Sequence, residues 1–254
     1  MDLNNKITFG GIDSSNYGIY VAGNAVFNSP ERDVTMIDVP GRSGQLTLDN
    51  GRFLNMEITY NAFVAGDNPN DIKSRIRDFR NAIGAKTGYQ RLTDTFHTDE
   101  FRQAVFRNGL EVEPTIYQTG GFFDITFDCK PQRWLTSGET WVTVLSGPQS
   151  IDNPTLFDAS PLIRVSGANG NVVIGNYTIA VASNPGTLSG AQVNIDCELG
   201  DAWYVDLLTG NIVSLNSYIT MSGSDFPKLN PGTNTVNFTG SITQVDIQPR
   251  WWRI

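Results

Sequence analysis

Apolar and polar residues alternate along most of this chain, and the period of two predicts strands. The strongest run places Phe123, Ile125, Phe127 and Cys129 on one face, with Asp124, Thr126 and Asp128 on the other. Ile58 and Tyr60 continue a run that begins near Phe53. Further on, Val193, Ile195, Cys197 and Leu199 oppose Asn194, Asp196 and Glu198, and Thr209-Gly210-Asn211 marks a turn between two such runs. The last strand carries Val245, Ile247 and Trp251 on one face. One stretch breaks this rhythm. Ile72, Ile76, Phe79 and Ile83 recur at helical spacing and predict a helix over Asn70–Ile83. Asn70 would be its N-cap, Asp71 would favour its first turn, and Gly84 would be its left-handed stop. The stripe is expected to pack on its own sheet. Arg75, Arg77 and Arg80 fall on the remaining faces, where they could meet a neighbouring subunit.

The 254 residues suffice for one large domain or two ordinary ones. Charge is unevenly spread: residues 1–133 hold 14 Lys and Arg against 17 Asp and Glu, whereas residues 134–254 hold only 4 against 9. The shift follows the strong strand, at Lys130-Pro131-Gln132-Arg133-Trp134, and places a domain boundary between 133 and 134. Short strands separated by Gly, Asn and Pro predict a sandwich in the second half. The fold class is therefore mainly β, in two domains, the first with one helix.

The net charge of −8, without any run of Lys or Arg, argues against a nucleic-acid-binding surface. Such acidity is ordinary for a soluble protein and would also suit a wall past which DNA slides. No secretory signal or apolar membrane span is read in the sequence, so no membrane insertion is expected. Cys129 and Cys197 stand far apart in strand-like runs and are expected to be buried free thiols.

Catalytic chemistry finds little support. His97 is the single histidine, too few for a histidine-based metal site, and is expected in a surface loop. No phosphate-binding loop, dinucleotide fingerprint or nucleophile elbow occurs. Asp196 and Glu198 would share a strand face roughly 7 Å apart, as would Asp124 and Asp128, but paired carboxylates are common on solvated strands. No catalytic residue, cofactor or metal is expected. Gly41-Arg42-Ser43-Gly44 reads as a tight loop or an interaction loop. The adjacent Trp251 and Trp252 should point to opposite faces, one filling the core and the other outside beside Arg250. Arg42, Arg75, Arg80 and Trp252 are the candidate protein-contact residues.

The order and spacing of several segments resemble the siphophage distal tail protein family over nearly the whole chain. These are Gly41-Arg42-Ser43-Gly44, Gly51-Arg52-Phe53, the helix around Ile72–Ile83, Arg91-Leu92-Thr93-Asp94 and Phe127-Asp128-Cys129-Lys130-Pro131-Gln132-Arg133-Trp134. In the second half they are Asn153-Pro154-Thr155, Phe226-Pro227-Lys228-Leu229, Pro231-Gly232-Thr233-Asn234 and Pro249-Arg250-Trp251-Trp252. The resemblance implies a β-rich belt domain with one helix over 1–133 that closes into a homo-hexameric ring, single or doubled, and a galectin-like β-sandwich over 134–254. It implies a structural hub in the virion tail tip, assembled in the host cytoplasm. Its expected partners are the tail tube protein, the tape-measure protein, the tip hub or tail-associated lysin and, in some members, a receptor-binding protein. The ring would leave a channel for DNA. Sugar binding is not implied, because the second half lacks the histidine that sugar-binding galectins use. The alternatives are a carbohydrate-binding module of a tail adhesin, using Trp141, Trp203 or Trp252, and a wall hydrolase using Asp196 and Glu198.

Overall fold

The computed structural model describes residues 5–22, 28–114, 120–182, 192–223 and 225–254. The chain divides into two compact units, one of residues 1–133 with Ile254 and one of Trp134–Arg253. The fold is mainly β with one α-helix among the described residues.

In the first unit, strands run in chain order as β1 (Ile7–Phe9), β2 (Ile12–Asp13), β3 (Ile19–Ala22), β4 (Arg32–Asp38), β5 (Gln45–Phe53), β6 (Met56–Ala65), β7 (Gln90–Asp94), β8 (Glu100–Val105), β9 (Glu113–Pro114) and β10 (Gly120–Leu135), with helix α1 (Pro69–Gly84) between β6 and β7. The main sheet has the order β2-β1-β7-β8-β10-β6-β3, and β9 pairs with β10. Among the described residues β4 and β5 pair only with each other. The alternation in β10 is realised as expected: Phe123, Ile125, Phe127 and Cys129 are all buried. They register against β6, with Ile125 opposite Tyr60 and Phe127 opposite Ile58. Phe9, Tyr60 and Phe106 gather their rings around Phe127. Helix α1 adds Ile72, Phe79 and Ile83 to the same core.

Two details of the helix differ from expectation. The N-cap is Asn68, whose side chain accepts from the amides of Asn70 and Asp71, and Pro69 takes the first helical position, where a missing N–H costs nothing. Gly84 stays helical. The amide of Ala85 still reaches the carbonyl of Asn81, so no left-handed stop forms there. The run expected from Phe53 to Tyr60 is likewise two strands: Phe53 ends β5, and a new strand starts at Met56.

In the second unit, β11 (Val142–Val144), β12 (Gln149–Asn153), β13 (Leu162–Ala168), β14 (Gly170–Ile174), β15 (Tyr177–Val181), β16 (Val193–Asp196), β17 (Asp201–Val205), β18 (Ile212–Ser214), β19 (Ile219–Met221), β20 (Gly232–Phe238) and β21 (Ser241–Gln248) form two sheets. Their orders are β11-β21-β13-β16-β17-β18 and β12-β20-β14-β15-β19. Both sheets turn their buried residues into one core, which includes Ile163, Val165, Val193, Ile195, Val245 and Ile247 from the first and Val172, Ile174, Ile179 and Val236 from the second. This is a β-sandwich. Both cysteines are buried and unbridged, one in each unit.

The carboxylates of the second unit are used structurally. β16 stops at Asp196, so Cys197, Glu198 and Leu199 are not on a strand, and Leu199 is exposed. Asp196 is itself buried. It accepts both guanidinium nitrogens of Arg250 at 2.8 Å and the amides of Glu198 and Leu199. The expectation of a solvated Asp196–Glu198 pair on one strand face is therefore corrected: the side chain of Asp196 folds back to cap its own turn. Arg250, at φ 59°, breaks the last strand, so buried Trp251 lies beyond β21.

Candidate assembly surface

Uncovered apolar residues concentrate on the hairpin of β4 and β5. The pairing Asp38–Gln45, Ile37–Leu46, Met36–Thr47 and Thr35–Leu48 fixes which side chains share a face. Ile37, Leu46 and Leu48 stand together with Val39 beyond the strand end, and they are 42%, 53% and 55% exposed for the first three. Met36 and Val34 lie exposed on the reverse face. The turn between the strands is set by Gly41 and Gly44, at φ 79° and 83°, and by the amide of Arg42 reaching the carbonyl of Val39. Arg42 is exposed at this tip.

Polar pairing holds the hairpin's shape where packing does not. Arg32 donates to Asp49 at 2.6 Å, and Arg52 to Asp33 at 2.7 Å. Asn50 also donates to Asp33, Gln45 to Asp38 and the Gly51 amide to Asp49. Asn50 and then Arg52 hold the Asp33 carboxyl below its ordinary range, and the Gly51 amide and then Arg32 do the same for Asp49. A two-stranded ribbon is marginal in water, and its outer edges present unpaired backbone groups. An apolar stripe on such a ribbon is a candidate contact surface.

The second unit has a smaller exposed apolar group at the β17–β18 turn. Asp206 caps that turn by accepting the amides of Leu208 and Thr209, which presents Leu207 and Leu208 outward beside exposed Ile212. The turn at Thr209-Gly210-Asn211 is legible in the sequence, but the outward leucines are not, because a Leu-Leu pair reads equally well as core.

The other candidate contact residues are placed as follows. Arg80 is exposed on α1. Arg75 is half-buried, pairs with Asp71 at 3.0 Å and lies over Gly18, where a Cβ would overlap its guanidinium. Trp252 stacks on Phe157 at a centroid distance of 4.4 Å and donates its indole N–H to the Asp158 carbonyl. Arg250, beside which the outer Trp was expected, turns instead to an ion pair with Asp196. Trp141 and Trp203 are half-buried, and Arg164 sits 3.9 Å over the Trp141 ring. His97 is not a plain surface residue: its ring lies 3.1 Å from Asp94 with 14% of its side chain exposed. Among the described residues no cluster of His, Cys, Asp or Glu could hold a metal ion, and no helix is long and apolar enough to cross a membrane.

The architecture is thus that of a two-unit, mainly β protein whose first unit carries one helix and an uncovered hairpin and whose second is a β-sandwich. Solved structures share it. The crystal structure of SPP1 Dit, described as a paradigm of hub adsorption apparatus in Gram-positive infecting phages, matches with a TM-score of 0.71 at 14% identity, over 98% of this chain and 99% of that one. Chains of the phage P2 baseplate in its activated conformation match with TM-scores of 0.52 (with Ca) and 0.51 (with Sr), at 10% and 9% identity. Those matches cover 96% and 95% of this chain and 96% and 97% of theirs. No protein-family model matches the sequence, and no curated protein matches it.

Proposed function

We propose that this chain is a structural hub of a phage tail tip, a distal tail protein that joins the tail tube to the adsorption apparatus. The observation that carries this reading is the β4–β5 hairpin, a two-stranded ribbon whose apolar residues Ile37, Leu46 and Leu48 stand about half exposed. Support comes from the full-length likeness to the SPP1 hub protein. In this reading residues 1–133 form the belt domain, and the hairpin face of one copy is covered by a different face of the next copy. Such head-to-tail contacts generate a ring when the rotation closes, here a hexamer, single or stacked in two, around a channel for DNA. Arg42 and Arg80 are free to add directional contacts at the belt. Arg75 and Trp252 serve chiefly to hold their own units together.

The second unit is assigned as the galectin-like domain, with Leu207, Leu208 and Ile212 facing another tip component. The tube protein, the tape-measure protein, the tip hub or lysin and a receptor-binding protein are the partners this position implies, and the virion tail tip is the location. The role is mechanical and requires no turnover. The carbohydrate-module reading loses ground because one face of Trp252 is occupied by Phe157. Light scattering of the purified chain across a concentration series, with negative-stain images of the largest species, tests the proposal. Six-fold rings with an open centre are expected, alone or on adding the tube protein. A strictly monomeric chain under both conditions refutes it.

A further inference from the structure

We propose that Asn108 is a self-modification site, an asparagine that the fold leaves free to convert to aspartate and isoaspartate with water as the only co-reactant. The sequence has three Asn-Gly steps, Asn50-Gly51, Asn108-Gly109 and Asn169-Gly170. Glycine after asparagine favours this chemistry, because no Cβ shields the following backbone nitrogen. In the reaction the Gly109 nitrogen attacks Asn108 Cγ. The new N–Cγ bond closes a five-membered succinimide, the Cγ–Nδ2 bond breaks, and ammonia leaves carrying the proton that the Gly109 amide gives up. Water then opens the ring at either carbonyl, to aspartate or to isoaspartate, and the chain gains one negative charge.

The fold separates the three steps. Asn50 lies in β5, where its Nδ2 donates to Asp33 at 2.9 Å, and the Gly51 amide, the nucleophile there, donates to Asp49 at 2.8 Å. Attack at Asn50 requires both bonds to break. Asn169 stands at φ 57°, and its carbonyl accepts the Ser241 amide. Gly170 opens β14 opposite Val181, packed so closely that a Cβ would overlap the Thr239 carbonyl. The backbone at that step cannot turn toward the side chain without parting the strands. Asn108 and Gly109, by contrast, lie exposed between β8 and β9, outside any strand. Among the described residues nothing hydrogen-bonds the Asn108 side chain or the Gly109 amide. A Cβ at Gly109 would meet nothing within 4 Å, so the chain there has room to adopt the geometry of attack. Both residues line an open cleft of about 740 Å³ with Glu111, Phe122 and Asp124, so the product adds a carboxylate to a surface that already carries two.

The test ages the full-length folded chain in mildly alkaline buffer. Each Asn-Gly step is followed by peptide mapping with electron-transfer fragmentation, which distinguishes aspartate from isoaspartate. A parallel sample is aged in urea, and the wild type and N108Q are compared by anion exchange. In the folded chain Asn108 should convert at least about tenfold faster than Asn50, the factor that breaking one charge-assisted hydrogen bond imposes. Asn169 should lag Asn108 by at least as much. In urea the three rates should converge, because only the fold sets them apart. The wild type should develop a later-eluting acidic species that N108Q lacks. The proposal is overturned if the three steps convert at one rate in the folded chain, if Asn108 stays intact while either of the others converts, if its lead persists in urea, or if N108Q forms the acidic species as fast as the wild type. If N108Q does not fold, the wild-type peptide maps decide the matter alone.

Discussion

Replacing both Leu46 and Leu48 by Ser should uncouple assembly from folding. In the subunit these side chains are 53% and 55% exposed, so only about half of each remains to be covered by a neighbour. Full burial of a Leu is worth roughly 1.5–3 kcal/mol, which leaves about 1 kcal/mol for each exposed half and about 2 kcal/mol for the pair. At 1.4 kcal/mol per tenfold, one contact should weaken by roughly 30-fold. The proposed ring of six would repeat the loss at every junction, so on this proposal the ring should vanish at concentrations where the wild type is fully assembled. The subunit should hardly notice, because exposed substitutions usually stay within about 0.5 kcal/mol. Light scattering over a dilution series reads the first effect, and chemical unfolding well below the assembly concentration reads the second. If the double variant assembles at the wild-type concentration, the hairpin is not the joint. If its monomer loses several kcal/mol, the stripe was packing within its own subunit.

Asp196→Ala should lower the unfolding free energy by about 3–5 kcal/mol, because it strands the Arg250 guanidinium and frees two turn amides, measured by urea denaturation. Burial pushes the Asp196 carboxyl up, but Arg250 and the turn amides outweigh it, and the group sits below its ordinary range. Its contribution is therefore complete above the unfolded value near 4 and is lost as pH falls through the lower folded one, so Asp196→Asn should flatten the acid limb of a stability–pH curve below about pH 4. Burial pushes both the Cys129 and Cys197 thiols up to about 12; neither should react with a disulfide reagent at pH 8 in the folded protein, and both should react in denaturant. Gly18→Ala should cost about 1–2 kcal/mol for the left-handed backbone at φ 65°, and more because its methyl would displace Arg75 from Asp71; thermal unfolding checks it.

How much of this was readable beforehand depends on whether the information is local. The stripe of α1 and the alternation of β10 declare buried faces by period alone, and the structure buries them. The helix start was misplaced by two residues because Asn68 and Asn70 are equally good caps in sequence, and the choice fell to Pro69, which fits the first helical position. Asp196 is a different kind of miss. Alternation puts it on the polar side of a strand, yet its partner Arg250 lies 54 residues away and no local pattern announces it. The same limit applies to Asp94, which ties Tyr60, from a distant strand, to the loop of His97. In β5 the sequence reads as an ordinary strand with Leu46 and Leu48 on one side. Whether that side meets its own core or another molecule is a property of the tertiary fold.

That ambiguity also bears on why a ribbon can serve as the proposed assembly surface. A core strand and a docking strand need the same alternation, so the difference must come from what fixes the ribbon when nothing lies beneath it. Here it comes from lateral polar links, Arg32 to Asp49 and Arg52 to Asp33, which tie the two strands to each other at the hairpin's base. These pairs are individually weak, so their value lies in register: slipping one strand against the other by one residue would part Ile37 from Leu46 and Leu48. The charges thereby keep Ile37, Leu46 and Leu48 on one side, as the proposed junction requires. Their contribution should appear in the specificity and order of assembly more than in the stability of the isolated subunit.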